Sequence, residues 1–169
     1  MPHFKKAIVS ATLLALLVPL KTALAQETGQ ANPAELWQTR CAGPSRSAET
    51  LICEASQSVR VKESGQLLFK VDIIYPANKA TPVFQMQAPL GFFLPGKVKL
   101  AVDGTPMSEL EIGTCDQRGC FLSAPATQEM INAMKAGAKL QIDFAPVAER
   151  RQTIEVPLTG FSKSMDAIQ

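Results

Sequence analysis

From Trp37 onward, apolar and polar residues alternate with a period of two. Trp37, Thr39 and Cys41 fall on one side of a first short segment. Residues 51–61 repeat the habit: Leu51, Cys53, Ala55, Val59 and Val61 lie on one face, and Glu54, Ser56, Ser58 and Arg60 on the other. A turn-forming Lys62-Glu63-Ser64-Gly65 follows, and residues 67–75 then place Leu67, Phe69, Val71, Ile73 and Tyr75 together. Their opposite face carries Lys70 and Asp72 and is predicted to meet water. This alternation suits an antiparallel sheet with one face on a core and one in solvent.

Shorter segments continue the pattern. Residues 82–88 are bounded by prolines, which predicts an edge strand because proline cannot donate to a ladder. Val98, Leu100 and Val102 alternate with polar neighbours and run into Asp103-Gly104, a tight-turn dipeptide. Leu110 and Ile112 lead into Cys115, while Leu140, Ile142 and Phe144 mark one late strand and Ile154, Val156 and Leu158 another. A single helix is predicted between them, with Thr127 as N-cap, Glu129 in the first turn, Ile131 and Met134 on its buried edge, and Gly137 at its close. Many short strands with turns about every 8–12 residues predict a mainly β fold. The expected architecture is a single-domain antiparallel β-sandwich or partly open β-barrel with one short helix, over residues 36–169.

The N-terminus follows another logic. Lys5 and Lys6 precede an apolar run over residues 7–20, and Ala23-Leu24-Ala25 forms a small-residue cleavage site before Gln26. These features predict a signal peptide over residues 1–25. The run is also shorter than the ~20 residues that a membrane span needs. Residues 26–35 are polar, with Gly and Pro and no apolar pattern, and read as a flexible leader. The mature chain is thus expected to carry no transmembrane segment and to work in the periplasm, at the outer membrane or outside the cell.

Removal of the first 25 residues changes the chemistry. The one histidine, His3, leaves with them, as do Lys5, Lys6 and Lys21. The formal charge of +2 (17 basic against 15 acidic residues) becomes −1, with 14 against 15. No basic excess is left to attract nucleic acid. All four cysteines, Cys41, Cys53, Cys115 and Cys120, survive the cut, and an even number in an exported chain reads as a disulfide framework. Of three possible connectivities, the local pairs Cys41–Cys53 and Cys115–Cys120 are favoured. Their loops would contribute about 3 and about 2 kcal/mol on the chain-entropy account.

Candidate chemistry is sparse. Without histidine, Ser–His and Cys–His pairs are impossible in the mature chain, and no Ser-x-x-Lys occurs. Glu109 and Glu111 lie two apart and read as the wet face of a strand rather than a glycosidase pair. Cys115-x4-Cys120, with Gly119 in its bend, fits a clamped hairpin better than the Cys-x-x-Cys of a thiol-redox site. A four-cysteine zinc site would need reduced thiolates at unusual spacings. No cofactor, metal or catalytic residue is expected. Asp116 and Arg118 on the clamped loop are candidates for contact with a partner. Phe92 and Phe93, adjacent within Leu90-Gly91-Phe92-Phe93-Leu94-Pro95-Gly96, are a second candidate patch, since neighbours in an extended chain point to opposite faces. Trp37, beside the inward Cys41, is expected in the core.

Together these pieces resemble the invasion-associated locus B (IalB) family of exported proteins of Gram-negative bacteria. The resemblance rests on Trp37-x3-Cys41, Cys53-Glu54-x2-Gln57, Leu90-Gly91, Leu94-Pro95-Gly96 and the strand and turn over residues 97–104. It continues through Cys115-x3-Gly119-Cys120, the helix closed by Gly137, and Pro157-Leu158-x-Gly160-Phe161. It spans roughly residues 36–168. It implies an envelope-associated protein whose namesakes are linked to entry of pathogens into host cells, and it carries over no catalytic residue. The expected role is non-enzymatic binding of a protein partner in the envelope or on a host cell. The alternatives are a periplasmic small-ligand carrier with an apolar pocket between its sheets, or a hydrolase using carboxylates or a Ser–Lys pair.

Overall fold

The computed structural model describes residues 36–169, apart from Arg46, residues 78–80 and Phe92, and describes Ala48 by its backbone alone. The expected signal peptide and leader lie outside the described residues. The chain builds β1 (Gln38–Ala42), a single 3-10 turn (Ala48–Thr50), β2 (Ile52–Arg60), β3 (Leu67–Tyr75), β4 (Val83–Ala88) and β5 (Val98–Val102). β6 (Thr105–Leu110), β7 (Ile112–Asp116), β8 (Gly119–Pro125), α1 (Gln128–Ala136), β9 (Lys139–Val147), β10 (Arg150–Pro157) and α2 (Phe161–Ile168) complete it.

The strands form two antiparallel sheets, a six-stranded one ordered β1-β2-β3-β4-β8-β7 and a four-stranded one ordered β10-β9-β5-β6. The fold is thus a mainly β sandwich, not a closed barrel. The alternating residues meet between the layers: Phe69, Ile73, Phe84, Met86 and Leu122 from one sheet, Leu100, Leu110, Leu140 and Ile142 from the other. Phe69 and Phe144 pack edge to face across the gap, their centroids 5.1 Å apart. The Asp103-Gly104 turn has both residues at positive φ, as a two-residue hairpin between β5 and β6 requires. The Asp103 carboxylate also accepts from the backbone N–H groups of Ala138 and Lys139 at 2.8 and 3.0 Å, tying that turn to the start of β9.

Two details of the sheet pattern differ from the sequence reading. β4 is not an edge strand; it lies between β3 and β8. Pro82 and Pro89 stand just outside it, so no ladder N–H is lost, and the Pro82 carbonyl accepts from Ala126 N at 2.7 Å. Asp72, expected in water, is 2% exposed. β3 is an interior strand, and Asp72 sits in a row between Ser56 of β2 and Gln85 of β4, with Lys70 Nζ 2.7 Å from its Oδ1.

The helices cover what the unequal sheets leave open. α1 matches the expected helix, with Met130 N donating to Thr127 Oγ1 at 3.2 Å and Met130, Ile131 and Met134 buried. α2 was not foreseen. It packs on β1 and β2 at one edge of the wider sheet. Phe161, Met165 and Ile168 supply its buried face. Trp37 is buried against it, its ring 4.8 Å from that of Phe161. The indole N–H donates to the Pro157 carbonyl at 3.0 Å, and Ser164 Oγ donates to the Trp37 carbonyl at 3.1 Å.

Candidate functional site

Disulfides join Cys41 to Cys53 and Cys115 to Cys120. In each case the two cysteines face one another on neighbouring antiparallel strands, so each bond crosses a single rung of the ladder. The register places them at opposite ends of the six-stranded sheet: Cys53 pairs with Tyr75 at the end of β3, and Cys120 with Ala88 at the end of β4.

The second of these ends gathers the candidate partner-binding residues. Gln117 and Arg118 make the turn between β7 and β8, closed below by the Asp116–Gly119 and Cys115–Cys120 pairs. Gly119 has φ +133°, and a Cβ there would stand 2.2 Å from the Ala88 carbonyl oxygen, so the hairpin lies flush against the end of β4. Gln87 Nε2 donates to the Arg118 carbonyl at 2.7 Å and fixes the same contact. Asp116 and Arg118 turn to each other: the guanidinium donates to Asp116 Oδ2 at 2.7 and 3.1 Å, and Arg118 N donates to Oδ1 at 2.8 Å. These bonds hold the Asp116 carboxyl below the usual carboxylate range. Arg118 also lies 5.1 Å over the Phe121 ring. The tip therefore presents a self-neutralised, ordered ion pair rather than two independent charges.

From the end of β4 the chain leaves as the 89–97 segment and crosses to the other sheet, where Phe93 N donates to the Ala145 carbonyl at 3.0 Å. Leu90 and Leu94 are each 59% exposed, Phe93 37%, and Val147 at the end of β9 is exposed beside them. Phe92 lies outside the described residues. The structure thus brings Asp116, Arg118 and Phe93 to one end of the sandwich, joined by Leu90, Leu94 and Val147. Two ion pairs lie near this patch, Lys97 with Glu111 at 3.1 Å and Arg151 with Asp143, and the exposed Glu149 and Arg150 adjoin Val147.

Glu109 and Glu111 do not share one strand. Glu109 is on β6 of the four-stranded sheet, whereas Glu111 is the link to β7 of the other sheet, and each is exposed and faces its own lysine, Lys99 or Lys97. Among the described residues no group of three or more His, Cys, Asp or Glu side chains is placed to hold a metal. No described helix is long and apolar enough to cross a membrane.

The described residues form a groove of about 870 Å³ at the Cys41–Cys53 end, between the end of β3, α1 and the last turn of α2. Nothing in the sequence pattern marked it, because its walls come from four separated stretches of chain.

Residues 37–169 match the family described as Invasion associated locus B (IalB) protein. The chain belongs to the IalB family. Among solved structures it is similar to the crystal structure of invasion associated protein b from Bartonella henselae, with a TM-score of 0.66. The two share 20% sequence identity, over 79% of this chain and 90% of the other. That likeness speaks for the IalB fold. A search among curated proteins finds no significant match.

Proposed function

We propose that this IalB-family chain is an exported, non-enzymatic envelope protein that binds another protein through the end of the sandwich formed by the 115–120 hairpin and the 89–97 segment. In this reading residues 1–25 are removed on export, residues 26–35 are a leader, and residues 36–169 act as one domain. The observation that carries it is the patch itself. Leu90, Phe93, Leu94 and Val147 are exposed together on a surface whose hairpin is clamped by Cys115–Cys120. Clustered exposed apolar residues with a polar rim are the usual composition of a protein contact. A pre-ordered backbone lowers the entropy cost of forming such a contact. Two disulfides agree with an oxidising compartment. The absence of histidine after His3 removes the commonest general base. The family name directs attention to host-cell contact, and an envelope partner fits the same surface.

The test is photo-crosslinking in the native cell, with a photoreactive residue at Leu94 or, as control, at Ile52, which is exposed at the opposite end. A discrete adduct from position 94 and none from 52 is the expected result. Equal labelling from both positions, or none from either, would overturn the assignment of the surface. External protease on intact cells then separates the two locations: digestion places the partner outside the cell, and protection places it in the periplasm.

A further inference from the structure

We infer that the free edge of β10 is a strand-pairing surface for a second copy of this chain, the two β10 strands meeting antiparallel about a two-fold axis at Thr153. The inference is independent of the protein-binding patch, which does not include residues 151–155.

A sheet edge presents unpaired backbone N–H and C=O groups, and proteins block such edges with short strands, prolines, bulges or guarding charges. Among the described residues the two sheets end in four edge strands, β1 and β7 in one and β10 and β6 in the other. β1 and β7 have five residues each, and β7 is interrupted where its register shifts between Ile112 and Thr114. β6 carries Pro106, which has no N–H to give, beside a register shift at Leu100 and Ala101. β10 differs. It has eight residues and pairs with β9 without a break from Gln152 to Pro157. Its one register shift puts the extra residue in β9, so β10 itself stays regular.

The side chains that could guard this edge are turned away from it. The Arg151 guanidinium reaches inward to Asp143 of β9 and donates to the Lys97 carbonyl at 3.0 Å. Thr153 Oγ1 donates to Asp143 Oδ2 at 3.2 Å, and Glu155 Oε2 accepts from Lys139 Nζ at 2.6 Å. All of these partners lie on β9 or beyond it, so the edge is left open, and residues 150–153 and 155 are exposed. Only at its far end is the edge occupied, where the Trp37 indole takes the Pro157 carbonyl.

Self-pairing suits this edge in one register. Facing residues of an antiparallel pair share a face of the sheet, so a two-fold pairing is centred on a residue. About Thr153, threonine faces threonine, Gln152 faces Ile154 and Arg151 faces Glu155; threonine pairs are favourable across strands, and no like charges are opposed. Centred on Gln152, the strands would set Glu149 against Glu155; centred on Ile154, they would run Arg151 into the Pro157 position that Trp37 occupies. The expected mature chain has a formal charge of −1, 14 basic against 15 acidic residues, too little to hold two copies apart. The contact would join two four-stranded sheets into one continuous sheet.

The experiment is sedimentation equilibrium of the purified mature protein, both disulfides intact, up to millimolar concentration, with amide exchange measured at the two ends of the range. The parent should pass from monomer to dimer, and alternate amides within residues 151–155 should gain protection in the dimer. Thr153→Lys sets like charges at the axis and should weaken the dimer about tenfold while Tm stays near that of the parent. Thr153→Cys should give a disulfide-linked dimer on mild oxidation, because facing Cα atoms stand about 4.5–5.5 Å apart. Thr105→Cys, on the β6 edge, should not. Should these variants fail to fold, exchange in the parent decides alone. A parent that stays monomeric throughout, a dimer that Thr153→Lys leaves equally tight, or protection gained at residues 90–97 instead of β10 would each overturn the proposal. So would linkage from Thr105→Cys as readily as from Thr153→Cys.

Discussion

Replacing Trp37 by Phe tests how the chain ends are joined to the sandwich. The indole ties three elements together: it precedes β1, packs edge to face on Phe161 of α2, and donates to the carbonyl of Pro157 at the end of β10. Phenylalanine retains most of the ring contact but has no donor. Leaving the Pro157 carbonyl unpaired in a part-buried site costs about 1–2 kcal/mol. The smaller ring leaves a void beside Phe161 and Ser164, and partial collapse around it costs about 1–2 kcal/mol more. The sum is about 2–4 kcal/mol. A domain of this length loses about 3–5 °C of Tm per kcal/mol, so a fall of about 10 °C is expected by circular dichroism. Amide exchange adds a spatial test. Ser164 and Met165 in α2 should lose protection more than Val71 or Ile142 in the sheets, because the ring contact that the smaller side chain loosens is with Phe161 of α2. A fall in Tm under about 2 °C with unchanged exchange in α2 would refute the claim that this indole holds the C-terminal helix in place.

Three further outcomes follow from the same geometry. Burial raises the Asp72 carboxyl above its ordinary range more than Lys70 lowers it, so the native state keeps this proton at pH values where the unfolded chain has lost it. Stability drawn from this group is thus highest in acid and declines as pH rises from about 4 through the raised value. Asp72→Asn should therefore gain stability relative to the parent between acid and neutral pH by urea denaturation, and a pH-independent difference would contradict the assignment. Gly137→Ala should cost about 1–3 kcal/mol although its φ is an ordinary −84°, because the new Cβ would lie 2.3 Å from Val102 Cγ1; an unchanged thermal melt would show that Val102 yields freely. Cys115→Ser with Cys120→Ser should cost about 2 kcal/mol and Cys41→Ser with Cys53→Ser about 3, and the two losses should add in denaturant titrations because the bonds sit at opposite ends of the sheet.

Much of this molecule was legible along the chain because its forces are local and periodic. Phe69, Val71 and Ile73, or Val98, Leu100 and Val102, declare their strands by period two alone, since a one-residue slip would bring their polar neighbours into the core. Asp103-Gly104 declares its turn by the positive φ that few other dipeptides adopt, and Thr127 its helix by the side-chain cap. Clamping of the 115–120 hairpin follows from spacing, since four intervening residues bring the two cysteines to facing positions.

What sequence could not decide was the neighbourhood of each element. Flanking prolines look the same on an edge strand and on β4, whose prolines sit just beyond the ladder in the middle of a sheet. Asp72 reads as a wet residue by its period, and only the strands on both sides of it, with Lys70 folded over, make it buried. α2 is eight residues long with no side-chain cap at Gly160, too short and too weakly signalled to stand out, and its stability comes from the Trp37 and β1–β2 surface that it covers. The candidate site and the groove are both of this second kind. Leu94 and Arg118 come to one end, and Tyr75, Thr127, Lys135 and Ile168 line one groove at the other, because a two-layer sandwich folds distant turns to the same edge. Periodicity determines which face of a strand is dry, but the pairing of sheets determines which loops meet.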